Sequence, residues 1–210
     1  MATETPARLF VIAAPSGAGK TTLVKALIER RPDLRFSISY TTRERRVTEQ
    51  HGRDYFFVSM EEFELLRESN ELLESALVFD NHYGTSRSQV EQHLADGVDV
   101  LLEIDWQGAQ QVRRSMPQAV SIFILPPSVS ELERRLRDRK TDTDEVITRR
   151  LCDAVSDMSH WHEFTYAIIN DDLARAVQEL EVVLAGDADE NLVGSPDLDN
   201  RVRELLERLR

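Results

Sequence analysis

The chain has 210 residues, of which 41% are hydrophobic and 30% charged, and its formal net charge is −12 at pH 7. These values predict a folded globular domain with room for inserted subdomains, and they exclude a disordered chain. The negative charge argues against a general nucleic-acid or membrane-surface binder, and the single Cys152 excludes an intrachain disulfide or a cysteine-based metal site. No signal-peptide pattern and no long apolar run occurs, so the expected location is the cytoplasm.

A phosphate-binding motif follows the first predicted strand. The apolar residues 9–13 lead into the segment APSGAGKTT, residues 14–22, and a helical pattern comes next. This setting suits a phosphate loop, because the N–H groups and the dipole of a helix N-terminus favour an anion. Lys20 would reach the β- and γ-phosphates, and the Thr21 hydroxyl would bind Mg²⁺. Ala14 stands where the motif usually has glycine, which is unfavourable only if φ is positive there. The alternative is a strand-to-helix turn without a ligand. The predicted ATP-binding residues of the loop are Ala14, Pro15, Ser16, Gly17, Ala18, Gly19, Lys20, Thr21 and Thr22.

The next part of the chain, residues 37–90, is predicted to be a β-containing insertion beside a larger sheet. Residues 36–40 alternate like a strand with one buried face, and a basic segment follows them. Further predicted elements are a strand over 54–58, a helix opened by a capping box at Ser59–Glu62, a strand over 72–78, a turn over 81–85 and a helix capped near Ser86.

The second half of the chain alternates between predicted strands and helices. Residues 98–105 form an apolar run that ends in acids, as a buried parallel strand would. The elements after it are a helix over 107–114, a strand over 119–125, an Arg-rich helix capped by Ser128, a helix over about 145–162, a strand over 164–169, a helix from near Leu173, an acidic loop-like tail over 186–200 and a short helix over 202–209. This order predicts an α/β fold, a P-loop NTPase-type parallel sheet with helices on both faces.

Charged residues outside the loop suggest phosphate and metal chemistry. Glu103 and Asp105 end a buried strand, where carboxylates could hold Mg²⁺, although acids are also common at strand ends simply because strands end at the surface. Arg43, Arg45 and Arg46 follow a strand, and a second arginine cluster occupies two later helices. Guanidinium groups bind phosphate oxygens in pairs of hydrogen bonds, but each cluster could equally be a solvated surface. The members of the second cluster are Arg134, Arg135, Arg137, Arg139, Arg149 and Arg150.

Glu74 lies inside an apolar strand. A carboxylate there could accept hydrogen bonds from N1–H and the exocyclic amine of guanine, and adenine has no N1–H to donate. The alternative is a solvated glutamate on the face of a strand. The histidines show no metal-ligand spacing, and no nucleophile-elbow motif occurs.

With these motifs in view, the sequence resembles the guanylate kinase family in its bacterial form, over about residues 9–172. The motifs occur in the order of the family: APSGAGKTT, S-x-TTR-x-x-R, G-R-D-Y-x-F, the stretch from Glu74 to Thr85, EIDWQGAQQV, FILPPS, an Arg-rich lid and INDD. The resemblance implies an ATP:GMP phosphotransferase that uses Mg²⁺ and produces ADP and GDP. It leaves open whether dGMP is also a substrate and whether the chain is a monomer or a homo-oligomer, and it implies no nucleic-acid or membrane partner.

The resemblance also implies a division of labour among residues and segments. The implied segments are a core (about 8–36, 98–126 and 164–185), a GMP-binding subdomain (about 37–90), a helical lid (about 127–160) and a tail (about 186–210). The implied GMP-binding residues are Ser39, Arg43, Arg46, Tyr55, Glu74, Tyr83, Gly84, Thr85 and Asp105, with Arg43, Arg46 and the two tyrosines on the phosphate. The implied catalytic residues are Lys20, Arg43, Arg135, Arg139 and Arg150, the implied metal ligands are Thr21, Glu103 and Asp105, and Asn170 is placed near adenine.

Three positions depart from the family pattern without removing a functional group. Glu103 is found where many members have aspartate, and Thr85 replaces a serine. Lys140 is found where glycine is common, so the lid hinge is expected to be stiffer in this chain. The rival hypotheses are a kinase for another nucleoside monophosphate, a regulatory GTPase and an inactive binding domain. Glu74 argues against the first, the absence of an N-K-x-D motif against the second, and the presence of Lys20 and Thr21 against the third.

Overall fold

The computed structural model describes residues 6–78, 80–138 and 143–207. Strands and helices alternate along most of this part of the chain. The strands are β1 Leu9–Ala13, β2 Arg35–Phe36, β3 Tyr40–Thr41, β4 Phe56–Phe57, β5 Leu72–Val78, β6 Asn81–Ser86, β7 Val100–Glu103, β8 Val120–Leu125 and β9 Tyr166–Ile169. The helices are α1 Lys20–Arg30, α2 Met60–Glu68, α3 Arg87–Ala95, α4 Trp106–Ser115, α5 Val129–Asp138, α6 Asp144–Met158, α7 Leu173–Ala185 and α8 Pro196–Glu207.

The larger sheet has the strand order β2-β7-β1-β8-β9. The pairs β2–β7 and β8–β9 are parallel, and all five residues of β1 are buried. Strands covered on both faces are mostly apolar, which explains the hydrophobic run of β1 and that of residues 122–125 in β8. The predicted α/β fold with a parallel sheet and flanking helices is confirmed.

The smaller sheet has the order β4-β3-β6-β5, with β6 antiparallel to both β3 and β5. The prediction of a turn over residues 81–85 is wrong, because these residues form β6. Asp80 adopts a positive φ of 65°, and Val78 pairs with Asn81, so a tight hairpin comes before the segment that was expected to turn.

The prediction of a single strand over residues 36–40 is also wrong. Phe36 belongs to β2 in the larger sheet, whereas Tyr40 begins β3 in the smaller one. The alternating pattern was real, but the chain leaves one sheet and enters the other within it. Periodicity does not reveal which neighbour a strand pairs with.

The chain divides into two compact units. The first contains the residues up to Val11 and Pro32–Ala119, and the second contains Ile12–Arg31 and the residues from Val120 onward. In the second unit, α5 packs on α6 through a small apolar cluster around Leu136 and Ile147. No helix in the described part of the chain is long and apolar enough to cross a membrane.

The C-terminal segment is more ordered than a loop-like tail. Val193 N–H donates a hydrogen bond to Thr165 O (3.0 Å), and Leu192 bridges antiparallel to Tyr166 of the edge strand β9. The α8 helix begins at Pro196, six residues before the predicted start, and its Val202 is fully buried. Backbone pairing across β9 and burial therefore order a segment whose acidic composition predicted a loop.

We expect Val202→Ala to lower the free energy of unfolding by about 2 kcal/mol, because it removes two buried methyl groups from α8. Urea unfolding followed by circular dichroism measures this. Arg203→Ala, at the next and exposed position, is the control and should change stability by less than about 0.5 kcal/mol. Equal stability of the two variants would show that α8 does not pack on its unit.

Candidate active site

The predicted phosphate loop joins β1 to α1. Ala18 N–H donates a hydrogen bond to Pro15 O (3.2 Å), and Gly19 is the N-cap of α1 with a φ of 90°. No side chain caps this helix, and its first turn contains no acidic residue. An anion at this end would therefore meet backbone N–H groups and the positive end of the helix dipole.

Ala14 does not occupy a strained position. Among the described residues other than glycine, positive φ occurs only at Asn70 and Asp80. The left-handed positions of the loop are Gly17 and Gly19, where glycine is retained. An alanine in place of the usual first glycine is consequently compatible with the loop geometry.

Two side chains in the second unit hold the carbonyl oxygen of Ala18. Asn170 Nδ2 donates to it at 2.8 Å and Arg135 Nη1 at 3.0 Å. A Cβ at Gly19 would lie 2.6 Å from Asn170 Nδ2, so this glycine is required by close packing as well as by φ. Beneath the loop, a Cβ at Gly17 would lie 2.9 Å from Leu132 of α5.

The Arg135 side chain makes further hydrogen bonds outside the phosphate loop. Its Nη2 donates to Asn170 O (3.2 Å), and its Nε donates to Glu131 Oε1 (2.8 Å). Hydrogen bonds from Arg134 and Arg135 lower the pKa of Glu131 to about 2, so this carboxylate is charged throughout the neutral range. In this structure Arg135 and Asn170, which the resemblance assigned to ATP contacts, support the backbone of the phosphate loop.

In the first unit, the side chains assigned to the GMP phosphate lie together. The Arg43 guanidinium carbon is 5.5 Å from the Tyr55 ring centroid, and the Tyr55 and Tyr83 rings are 5.9 Å apart. Arg43 Nη2 donates to Glu49 Oε1 at 2.8 Å, and Glu49 Oε2 accepts from Arg46 N at 2.8 Å. Burial alone would lower the pKa of Arg43, but hydrogen bonds with Glu49 and Tyr83 raise it above its ordinary value. A charged arginine is thus held beside two aromatic side chains.

The phenol of Tyr55 remains a hydrogen-bond donor at any physiological pH. Burial raises its pKa to about 12, and the nearby charge of Glu103 contributes in the same direction. An anionic phosphate oxygen would accept a hydrogen bond from this phenol without removing its proton.

The side chains assigned to the guanine base meet beside α4. Glu74 is 3% exposed, and its Oε1 accepts a hydrogen bond from Thr85 Oγ1 at 2.6 Å. Asp105 is the N-cap of α4, with Oδ1 accepting from Gly108 N at 2.7 Å. A Cβ at Gly108 would overlap Glu74 Oε2 and lie 3.1 Å from Asp105 Oδ1. The missing side chain at Gly108 therefore gives the Glu74 carboxylate its space.

The remaining predicted residues fall in several places. Ser39 precedes β3, Glu103 ends β7 half-buried, and Arg150 lies half-buried in α6. The Arg46 side chain is 71% exposed. Gly84 lies within β6, where a Cβ would meet Leu72 and the Phe63 ring at 2.9 and 3.2 Å, so packing under α2 explains this glycine. Arg139 and Lys140 lie outside the described residues.

The chain is similar to known proteins over most of its length. The family model described as guanylate kinase matches residues 6–187. The chain belongs to the guanylate kinase family. It is 55% identical over 179 residues to a guanylate kinase of Aromatoleum aromaticum, covering 85% of this chain and 88% of that one, and 54% identical over 181 residues to that of Pseudomonas fluorescens, covering 86% and 88%. A crystal structure of guanylate kinase from Anaplasma phagocytophilum superposes with a TM-score of 0.74 at 35% identity, covering 97% of this chain and 95% of that one.

The family prediction made from the sequence is confirmed, and so is the prediction of a nucleoside monophosphate kinase. Sequence reasoning missed Glu49 and Gly108, which contact predicted site residues, and Gln111, which binds the backbone of Ser75 next to Glu74. An acid within a basic segment was the available signal for Glu49. A glycine in the first turn of a predicted helix was the signal for Gly108, because glycine is a poor helix former.

We expect Gly108→Ala to raise KM for GMP by about tenfold or more and leave KM for ATP nearly unchanged, because the new methyl group displaces the Glu74 carboxylate. Initial-rate kinetics with each nucleotide varied in turn measures this. In an open helix position the same substitution would stabilise the protein by about 0.5–1 kcal/mol. A variant with better stability and unchanged KM for GMP would therefore contradict the close approach of Glu74 to Gly108.

Proposed function

We propose that the chain transfers the γ-phosphoryl group of ATP to the phosphate of GMP, giving ADP and GDP. Membership of the guanylate kinase family supports the reaction. The observation that carries the substrate assignment is the buried Glu74 carboxyl, which Thr85 orients and Gly108 accommodates. A general phosphate-binding protein would have no need of such a group.

Guanine recognition is assigned to Glu74, Thr85, Asp105 and Ser39. A carboxylate at Glu74 accepts from both N1–H and the exocyclic amine of guanine, whereas adenine presents an unprotonated N1 that the carboxylate repels. A buried polar group that loses its partners is costly, so this arrangement rejects the wrong base rather than merely preferring the right one. Arg43, Arg46, Tyr55 and Tyr83 are assigned to the GMP phosphate, and the backbone at Gly84 completes the set.

Catalysis on this proposal is positioning and charge neutralisation. The acceptor oxygen of a nucleoside monophosphate is already ionised at neutral pH, so no strong general base is required. The loop residues Ala14–Thr22 bind the ATP phosphates with backbone N–H groups, and Asn170 belongs to the ATP side. Lys20, Arg43, Arg135, Arg139 and Arg150 supply positive charge to the transferring group.

Thr21, Glu103 and Asp105 are the proposed protein ligands of Mg²⁺. Among the residues that the structure describes, no cluster of three His, Cys, Asp or Glu side chains could hold a metal by itself. This fits Mg²⁺, which prefers one or two protein oxygens and takes its other ligands from substrate phosphates and water. When bound, the ion neutralises charge on the ATP phosphates.

Segments and location complete the proposal. The GMP-binding subdomain is assigned to about residues 37–90 and the lid to about 127–160, and closure of such segments would exclude water and limit hydrolysis of ATP. We propose that the enzyme is cytoplasmic and that its substrates are small-molecule nucleotides, without a nucleic-acid partner.

We expect Lys20→Ala to lower kcat by about 100-fold or more, because it removes a cation from the developing charge at the phosphates. A coupled assay of ADP formation with GMP as the acceptor measures this. The same assay with dGMP, AMP, UMP and dTMP in place of GMP tests which nucleotide is the acceptor. Lys25→Ala, on the exposed face of the same helix, is the control and should retain full activity. Normal turnover by the Lys20 variant would refute the phosphate-loop assignment.

We expect Glu74→Gln to raise KM for GMP by about 100-fold while KM for ATP changes little, because a neutral amide cannot accept both hydrogen bonds from guanine. The same initial-rate assay measures both constants. Glu71→Gln, an exposed position on the same segment, is the matched control. An equal loss for the two nucleotides would count against base reading by Glu74.

A further inference from the structure

Glu74 lies on β5, an edge strand of the smaller sheet, so contacts from outside the sheet contribute to the position of its carboxylate. The strand order β4-β3-β6-β5 places β5 at one edge of the smaller sheet, so among the residues that the structure describes, β6 is the only strand that pairs with β5. The pairing of β5 with β6 also shifts between Leu72 and Glu74, so the ladder is irregular immediately before the carboxylate. An edge strand presents one row of backbone N–H and C=O groups that no neighbouring strand satisfies, so these groups need partners from elsewhere.

A single side chain from α4 supplies the missing pairing next to Glu74. Ser75 N–H donates to Gln111 Oε1 at 3.1 Å, and Gln111 Nε2 donates to Ser75 O at 2.7 Å. The two bonds fix the orientation of the amide, because an N–H can only donate and a carbonyl can only accept. The Gln111 amide thus binds β5 as the backbone of a neighbouring strand would.

The contact of Gln111 belongs to a larger arrangement around the carboxylate. Gln111 follows Gly108 by three residues, so both face the same side of α4. Gly108 gives space to the Glu74 carboxylate, and Gln111 holds the backbone of the following residue. On the other side of the irregular ladder, Arg87 Nη2 donates to Leu72 O at 3.3 Å. On both sides of Glu74, the backbone of β5 is therefore hydrogen-bonded to a side chain from a helix.

We propose that Gln111 is a positioning residue for GMP recognition, which acts by holding the Ser75 backbone and thereby the Glu74 carboxyl in its base-reading place. This inference rests on the proposed role of Glu74. Gln111 itself contacts no substrate on this proposal, and its influence reaches the guanine side only, since its bonds end on β5 of the first unit.

Loss of the Gln111 amide has a specific consequence. The Ser75 N–H and C=O would be left without their partners, and β5 would shift or twist at its irregular point to reach water. Displacements of a fraction of an ångström are enough to weaken a pair of hydrogen bonds whose geometry must match the guanine edge. The ATP side depends on a different unit and should not respond.

The test compares Gln111→Met with Gln107→Met. Methionine matches the length of glutamine without its hydrogen bonds, and Gln107 is an exposed residue one turn earlier in α4. We expect the Gln111 variant to show a KM for GMP about tenfold higher, with KM for ATP within about twofold of the original. The Gln107 variant should match the original protein in both constants.

A double-variant cycle with Glu74→Gln separates positioning from general destabilisation. If Gln111 acts through Glu74, adding Gln111→Met to Glu74→Gln should raise KM for GMP by less than about twofold further. Circular dichroism and the thermal midpoint of each variant establish that the proteins compared are folded.

The outcomes are distinct. An unchanged KM for GMP in Gln111→Met, an equal rise for both nucleotides, or additive effects in the double variant would overturn the positioning role. If instead Glu74→Gln alone leaves KM for GMP unchanged, the base-reading assignment fails first, and with it the basis of this inference. A selective effect of Gln111→Met that disappears in the Glu74→Gln background would establish the role.

Discussion

The burial of one carboxyl group constrains much of the smaller sheet. Glu74 is almost inaccessible to solvent, and a buried carboxyl is unfavourable unless nearby groups satisfy it. Thr85 provides a hydroxyl, the absence of a side chain at Gly108 provides space, and hydrogen bonds at Leu72 and Ser75 fix the adjacent backbone. Such surroundings for a single carboxyl group are expected of a recognition site, because a ligand that fails to satisfy a buried acceptor binds weakly.

The phosphate loop is built on a different principle, because its binding groups belong to the backbone. Backbone N–H groups can converge on an anion only if the loop holds a conformation that most residues avoid, and Gly17 and Gly19 allow this. The loop is then fixed from behind. Asn170 and Arg135 both bind the Ala18 carbonyl, while Leu132 packs below Gly17. Preorganisation of this kind reduces the rearrangement needed when phosphates bind.

Three arginines in the two units form ion pairs with nearby carboxylates. Arg43 contacts Glu49, Arg135 contacts Glu131, and Arg137 contacts both Glu133 and Asp144. A net charge of −12 for the whole chain does not exclude a local phosphate site. The charge of the whole protein sets its average field, but a phosphate responds mainly to the few charges within about 8 Å at physiological salt.

The sequence by itself determined the α/β class, the phosphate loop, most helix starts and the family, because these depend on local patterns such as glycine spacing, capping boxes and apolar runs. Tertiary structure alone decided the division of residues 36–40 between two sheets, the hairpin that makes 81–86 a strand, and the packing of the tail on β9. It also decided that Gly108 and Gln111 hold the surroundings of Glu74, and that Arg135 and Asn170 hold the loop. Contacts between residues far apart in the chain leave no periodic signal in either segment, so only the folded coordinates can assign them.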